Sequence, residues 1–304
     1  MANREATTAM EHRQLDIFED ARDVALRNDL AGAVERCDSD AARAATAALR
    51  SEFGDDPVLP PAQRLVAHIE TQQGAQARFD AAQVLAWRGE LEGEIDGAAH
   101  ALLGAQAARA WLAAQWRWLA DRAHTVPWHT SHADAHAAPL YLRAGDWAAA
   151  AEAAVAIESW RRIPLPLLWV VHAHWRLGRM DGPTGAWPLL AEALWLAPTR
   201  AAALIPQLAD PRLDRLASGF ESDFDPATDD WAWLPAWALV DQPGLLATLA
   251  PADAPADCAP ADGYGLVAAL LRLERQGRHH EIVAHRRRLK ALSQTLFVVY
   301  MRTR

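Results

Sequence analysis

Cysteine is nearly missing from this chain: Cys37 and Cys258 are the only two in 304 residues. They are far apart and outside any metal or redox spacing, which excludes a disulfide framework and fits a reducing compartment. Lysine is scarcer still. Lys290 stands alone, and arginine supplies the rest of the 30 basic residues, a bias that reads as base composition. Val, Ile and Thr are sparse, which disfavours strands, where β-branched side chains pack well. No run of 18 apolar residues occurs, so a membrane-spanning helix is not expected. The opening MANREATTAMEHR is polar and has no apolar core of the kind a cleaved signal carries. These absences together point to a cytoplasmic protein with no membrane partner. The motifs of nucleophilic and nucleotide chemistry are missing too: no GxSxG, no Gly-rich phosphate loop, no GxGxxG after a strand. The expectation is therefore a non-enzyme with no cofactor and no catalytic residue.

What the chain does have is alanine, 68 residues of it, which loses no side-chain entropy in a helix. The 18 prolines mostly fall between segments with helical spacing, where proline suits a first turn and does not have to break an interior. In AARAWLAAQWRWLADRA, Trp111, Leu112, Trp116, Trp118 and Leu119 form a broad apolar stripe. Near the C-terminus Ile282, Leu289, Leu292, Leu296, Val299 and Tyr300 recur at steps of three, four and seven. No alternating run of strand length is present. Residues 1–13 read as a flexible leader and 14–304 as a single α-helical domain, with loops near 221–230 and 250–265, where Pro, Asp and Gly crowd.

One pattern recurs. YLRAGDWAAAAEAAVAI (Tyr141 to Ile157) returns in outline as HWRLGRM (His174 to Met180) and as LRLERQGRHHEIVA (Leu271 to Ala284), and more weakly as VERCDSDAARAA (Val34 to Ala45). Each reads as a helix end, a tight turn and a new helix. Gly145, Gly178 and Gly277 are placed to take the left-handed conformation that ends a helix. Two residues on, Trp147, Met180 or His279 can fill the space under the turn. Ala150, Ile282 and Ala42 then let two helices approach.

This pattern resembles the tetratricopeptide repeat, a 34-residue helix–turn–helix unit. Tyr141, Gly145, Trp147 and Ala150 stand at its aromatic, glycine, aromatic and alanine positions, and Gly145 and Gly178 are 33 residues apart. Two departures stand out. DGPTG interrupts the register after Gly178, and Cys37 occupies the weakest copy where glycine is usual. The resemblance is clear over about 137–198. It implies an all-α solenoid of antiparallel helical hairpins, without significant β-sheet, that presents a groove to a protein or peptide. The implied function is a non-catalytic scaffold or adaptor.

The net charge of −9 argues against a nucleic-acid partner. The segment 272–304 is opposite in sign, with eight arginines and one lysine against two glutamates. The candidate partner-binding side chains are Trp116, Arg117, Trp169, His172, Trp175 and Arg176 on Trp/Arg-bearing helices. Trp231 and Trp233 in DDWAWLPAWAL join them, because with Trp237 they fall on differing sides of one short helix. The cross-class rival is a metal-dependent enzyme at HTVPWHTSHADAH, which holds His124, His129, His132 and His136. His132 and His136, four apart, would share a helix face, with His129 as a third ligand. However, HxxxH lacks the general-base glutamate of HExxH, its second residue being Ala133.

QLDIF, with Gln14, Leu15 and Phe18, resembles the bacterial sliding-clamp-binding pentapeptide, which would make the chain a replication or repair accessory. The same residues also continue as the apolar face of a first helix through Val24 and Leu26. The two readings make opposite demands. As helix, Leu15→Ala with Phe18→Ala lowers stability by roughly 3–5 kcal/mol or more. As a docking peptide, the double variant melts like the parent and loses clamp binding. We expect the melt to fall and the parent to show no clamp affinity in a titration.

Overall fold

The computed structural model describes residues 22–225, 229–250, 254–255 and 257–304. Gln14, Leu15 and Phe18 lie outside them. Among the described residues the chain is all-α, with no strand, and no helix is long and apolar enough to cross a membrane. Contacts divide it into two compact units, Met1–Ala144 and Gly145–Arg304.

The first unit holds α1 (22–35), α2 (Ser39–Glu52), α3 (Leu59–Gln73), α4 (Ala81–Glu90), α5 (Asp96–Ala123) and α6 (Ala137–Ala144). Helices that follow one another pack together: α2 on α3, α4 on α5, α5 on α6. On α1 the buried face is Leu26, Leu30, Ala33 and Val34, a four–three–one spacing that lines one side of a 3.6-residue helix. Val24 falls off that face and is 53% exposed, so the apolar stripe expected to include it starts at Leu26. Asp38 caps α2 by accepting the Ala41 amide, and Asp80 and Gln83 form a reciprocal capping box on α4. Gly104 (φ +76°) interrupts α5. In its C-terminal part Trp118 lies against Trp87, 4.9 Å between ring centres.

The second unit holds α7 (Trp147–Val155), α8 (Pro164–Arg176), α9 (Ala186–Leu196), α10 (Pro198–Leu208), α11 (Pro211–Asp223), α12 (Leu234–Asp241), α13 (Ala259–Arg275), α14 (His279–Leu292) and α15 (Gln294–Arg302). Again α7 packs on α8, α8 on α9, α12 on α13 and α13 on α14. Proline occupies the first turn of α8, α10, α11, α12 and α13, where its missing N–H costs nothing. Pro260 and Asp262 in such a first turn start α13 inside the stretch read as loop to 265. Likewise α11 runs to Asp223, past the start of the other expected loop. Ser293 caps α15 and divides the apolar C-terminal pattern into two helices. Arg161 forms a two-pronged ion pair with buried Glu192, 2.6 Å in both contacts.

The recurring turns close as their residues suggest. Gly145, Gly178 and Gly277 have φ of +73°, +68° and +69°, and Cys37, standing where glycine is usual, has φ +53°. At three of them the amide three places past the last helical residue returns to the carbonyl five residues back: Asp38 to Ala33, Arg179 to His174, Arg278 to Leu273. This hydrogen bond satisfies a carbonyl the helix would otherwise leave orphaned. Ala42, Ala150 and Ile282 are buried as the contact positions require. The wedge position is less uniform: Trp147 and Met180 are half-buried, but His279 is exposed. In DGPTG, a Cβ on Gly185 would come within 2.4 Å of the Met180 carbonyl oxygen, so the interruption folds tightly.

Ala209 ends α10 with φ +51°, is exposed, and carries a Cβ that this conformation disfavours. Ala209→Gly should therefore stabilise the protein by about 1 kcal/mol, and Gly178→Ala should destabilise it by a similar amount. Denaturant midpoints measured with unchanged m-values check both.

Candidate binding surfaces

In the first unit, α3 faces α4 and the wide turn of π-helix, Leu91–Ile95, that follows it. The extra residue of such a turn rotates the side chains before it out of the ordinary helical register. A groove of about 570 Å³ opens here, with Arg64, Ala67, His68 and Thr71 on one wall and Gly89, Glu90, Gly93, Glu94 and Ile95 on the other. A Cβ added at Gly89 or Gly93 would meet nothing within 4 Å, so the backbone is bare along this wall. His68 is 2% exposed. Its Nδ1 lies 2.8 Å from the Glu90 carboxylate, and its ring stands edge-on to Trp87 and Trp111. Nε2 is buried with no hydrogen-bond partner. The pair fixes the Glu90 carboxylate at the groove wall, while Glu92 just beyond is occupied by Arg88 and Arg143.

In the second unit, α13 and α14 enclose a groove of about 630 Å³ lined by Ala261, Asp262, Gly265, Leu266 and Ala269 with His285, Arg288, Ala291 and Leu292. On α7 and α8, Trp147 stacks on His172 with ring centres 5.5 Å apart, and the Arg176 guanidinium lies 5.2 Å from the Trp147 ring centre. Burial, and secondarily the Arg176 charge, push the His172 imidazole down to about 4, so it is neutral at physiological pH.

The expected partner-binding residues separate into two groups. Trp116, Trp169 and Trp175 are buried. They belong to helix faces that pack inward, which places them in the core. Arg117 and Arg176 are exposed and His172 is half-buried. Trp231 and Trp233, expected as exposed anchors, are half-buried: they sit on a 3₁₀ turn, Asp229–Trp233, ahead of α12. Trp231 lies 5.3 Å from Phe220, and Trp233 fills the space above Gly263, where a Cβ would come within 2.5 Å of its ring. The change of helix type between Trp233 and Trp237 allows all three indoles to pack against one Phe220-centred cluster.

The histidine segment is not one helix. Thr130–Ala135 is a 3₁₀ turn broken at His132 (φ −130°), and His136 follows in extended backbone, so His132 and His136 share no helix face. His129 Nδ1 lies 2.7 Å from the Ser131 hydroxyl, and His136 Nδ1 accepts the Ala138 amide. Burial lowers the His136 pKa. Among the described residues no group of three or more His, Cys, Asp or Glu is placed to hold a metal ion. His68 and Glu90, 22 residues apart, carry no sequence signal. Gly89 and Gly93, four apart in a helical segment, were the one legible hint. No family model matches the chain, no curated protein matches it in sequence, and no solved structure matches it in fold.

His172 gives a pH signature. Its folded pKa lies below the ordinary 6.5, so the unfolded chain binds the proton more readily between those values. The His172 contribution is fully present above about pH 6.5 and is lost as pH falls towards 4. His172→Phe should flatten the decline in melting temperature over that window, and the His172 ring proton should titrate near 4 by NMR.

Proposed function

We propose that this chain is a non-catalytic binding protein that holds a segment of a protein partner in the grooves between its helices. The observation that carries this reading is that two wide grooves among the described residues, about 570 and 630 Å³, are walled by paired helices and include glycines with open space above them. Such walls accept a chain laid along them, because the partner's backbone can approach where no side chain projects. The hairpin turns closed by Cys37, Gly178 and Gly277 support a tetratricopeptide-like unit as the structural element, and proteins built from such units present grooves of this kind. The backbone between His129 and His136 favours this reading over the metal-dependent enzyme, since it breaks the helix face that His132 and His136 were expected to share.

The test uses the full chain in its native cell, with a photoreactive side chain placed at Gly93 or at Gly265 and, as a control, at exposed Asp40. Cross-linking to one contiguous segment of one protein from a groove position, and not from the control, is the expected result. No protein cross-link from either groove would overturn the reading. So would stoichiometric metal in untagged protein that is lost on His132→Ala with His136→Ala.

A further inference from the structure

The α13–α14 groove differs from its counterpart in the first unit in charge. Its walls hold Arg288 and His285 with one acid, Asp262, near the α13 N-terminus. Arg272 lies three residues beyond Ala269 on α13 and is exposed, so it extends the same helix face. The two glutamates of this hairpin are already engaged. Glu274 contacts Arg286, Arg304 and the Tyr300 hydroxyl, and Glu281 contacts Arg278. Arg272 and Arg288 are therefore not neutralised by the glutamates beside them. The whole chain carries −9 and the stretch 272–304 carries +7, so residues 1–271 carry −16. The net basic stretch is the one that supplies the α14 wall of the groove.

The walls between the charges are apolar and small. Ala261, Gly265 and Ala269 recur every four residues along α13, opposite Ala291 and Leu292. From Ala261 to Ala269 is about 12 Å of helix, enough to receive two turns of another helix. Nothing lies within 4 Å of a Cβ built on Gly265.

We propose that this groove binds an acidic amphipathic helix of a partner protein, a refinement that rests on the binding-protein reading above. The apolar stripe of the helix lies over Gly265, Leu266 and Leu292, and its carboxylates meet Arg288 and Arg272. Fixed charges at a groove rim select the sign of the partner and speed its encounter. Because the exposed guanidiniums are screened by salt, binding weakens as ionic strength rises.

Fluorescence anisotropy of the full chain tests this with two labelled helical peptides of about 18 residues. Both carry leucine every third or fourth position, one with glutamate and the other with lysine elsewhere. A 20-nucleotide single-stranded RNA is the third probe. The glutamate peptide should bind with micromolar affinity, at least about tenfold more tightly than the lysine peptide, and weaken between about 50 and 300 mM NaCl. Arg272→Glu with Arg288→Glu should reverse the preference, and Gly265→Trp should remove binding of either peptide, with circular dichroism melts showing that both variants fold. Equal binding of the two peptides, no binding of the glutamate peptide, tighter binding of RNA, or insensitivity to the charge reversal would each overturn the proposal. A partner cross-linked from Gly93 while Gly265 gives none would also overturn it and leave the broader binding reading intact.

Discussion

The constraint on which the hairpins depend is the return of the chain at the end of each helix. A helix end packed against its neighbour leaves carbonyls that water cannot easily reach, and a residue with positive φ turns the next amides back onto them. Glycine does this without steric cost at Gly178 and Gly277. Cys37 does it against a preference worth about 1–2 kcal/mol, and the surroundings hold it there. Gln73 donates to the Cys37 carbonyl, Gln115 donates to its sulfur and accepts from Gln72, and Ser39 donates to Gln73. A glutamine network anchored on buried Gln115 holds at this turn what the absence of a side chain permits at the others.

With the turns closed, each unit builds its core from small and aromatic residues together. Alanine lets helix backbones approach, as at Ala42 and Ala150, and indoles fill the wider gaps that remain. The Phe79–Trp87–Trp118 cluster, with Arg122 lying 3.8 Å from the Trp118 ring centre, and the Phe220–Trp231–Trp237 cluster are the result. Indoles and phenyl rings bury large areas and prefer offset or edge-on contacts, so 14 tryptophans are spent largely on packing. The two open grooves accordingly lie where the chain has glycine and alanine, and their character is set by the charges around them. The first unit's groove is framed by Glu90, Glu94 and Arg64; the second unit's is framed by Arg288, His285 and Asp262.

The sequence by itself determined the helical class, because abundant alanine, scarce β-branched residues and proline between periodic segments all favour one local state. It also determined the recurring turns: the residue two places before α2, α7 and α14 had to adopt positive φ, and Gly145, Gly277 and even Cys37, with Gly178 after α8, could be found from spacing alone. Tertiary structure decided what spacing cannot encode. His132 and His136 look like one helix face only if the backbone is helical, and a broken 3₁₀ turn removes that. Trp231 and Trp233 look surplus to one helix until α11 and α13 supply Phe220 and Gly263 as their seats. The meeting of His68 with Glu90 depends on a π turn and on the packing of α3, both non-local in origin. Local propensity is a sum over near neighbours and is written in the chain; a groove is a relation between helices and exists only once they have packed.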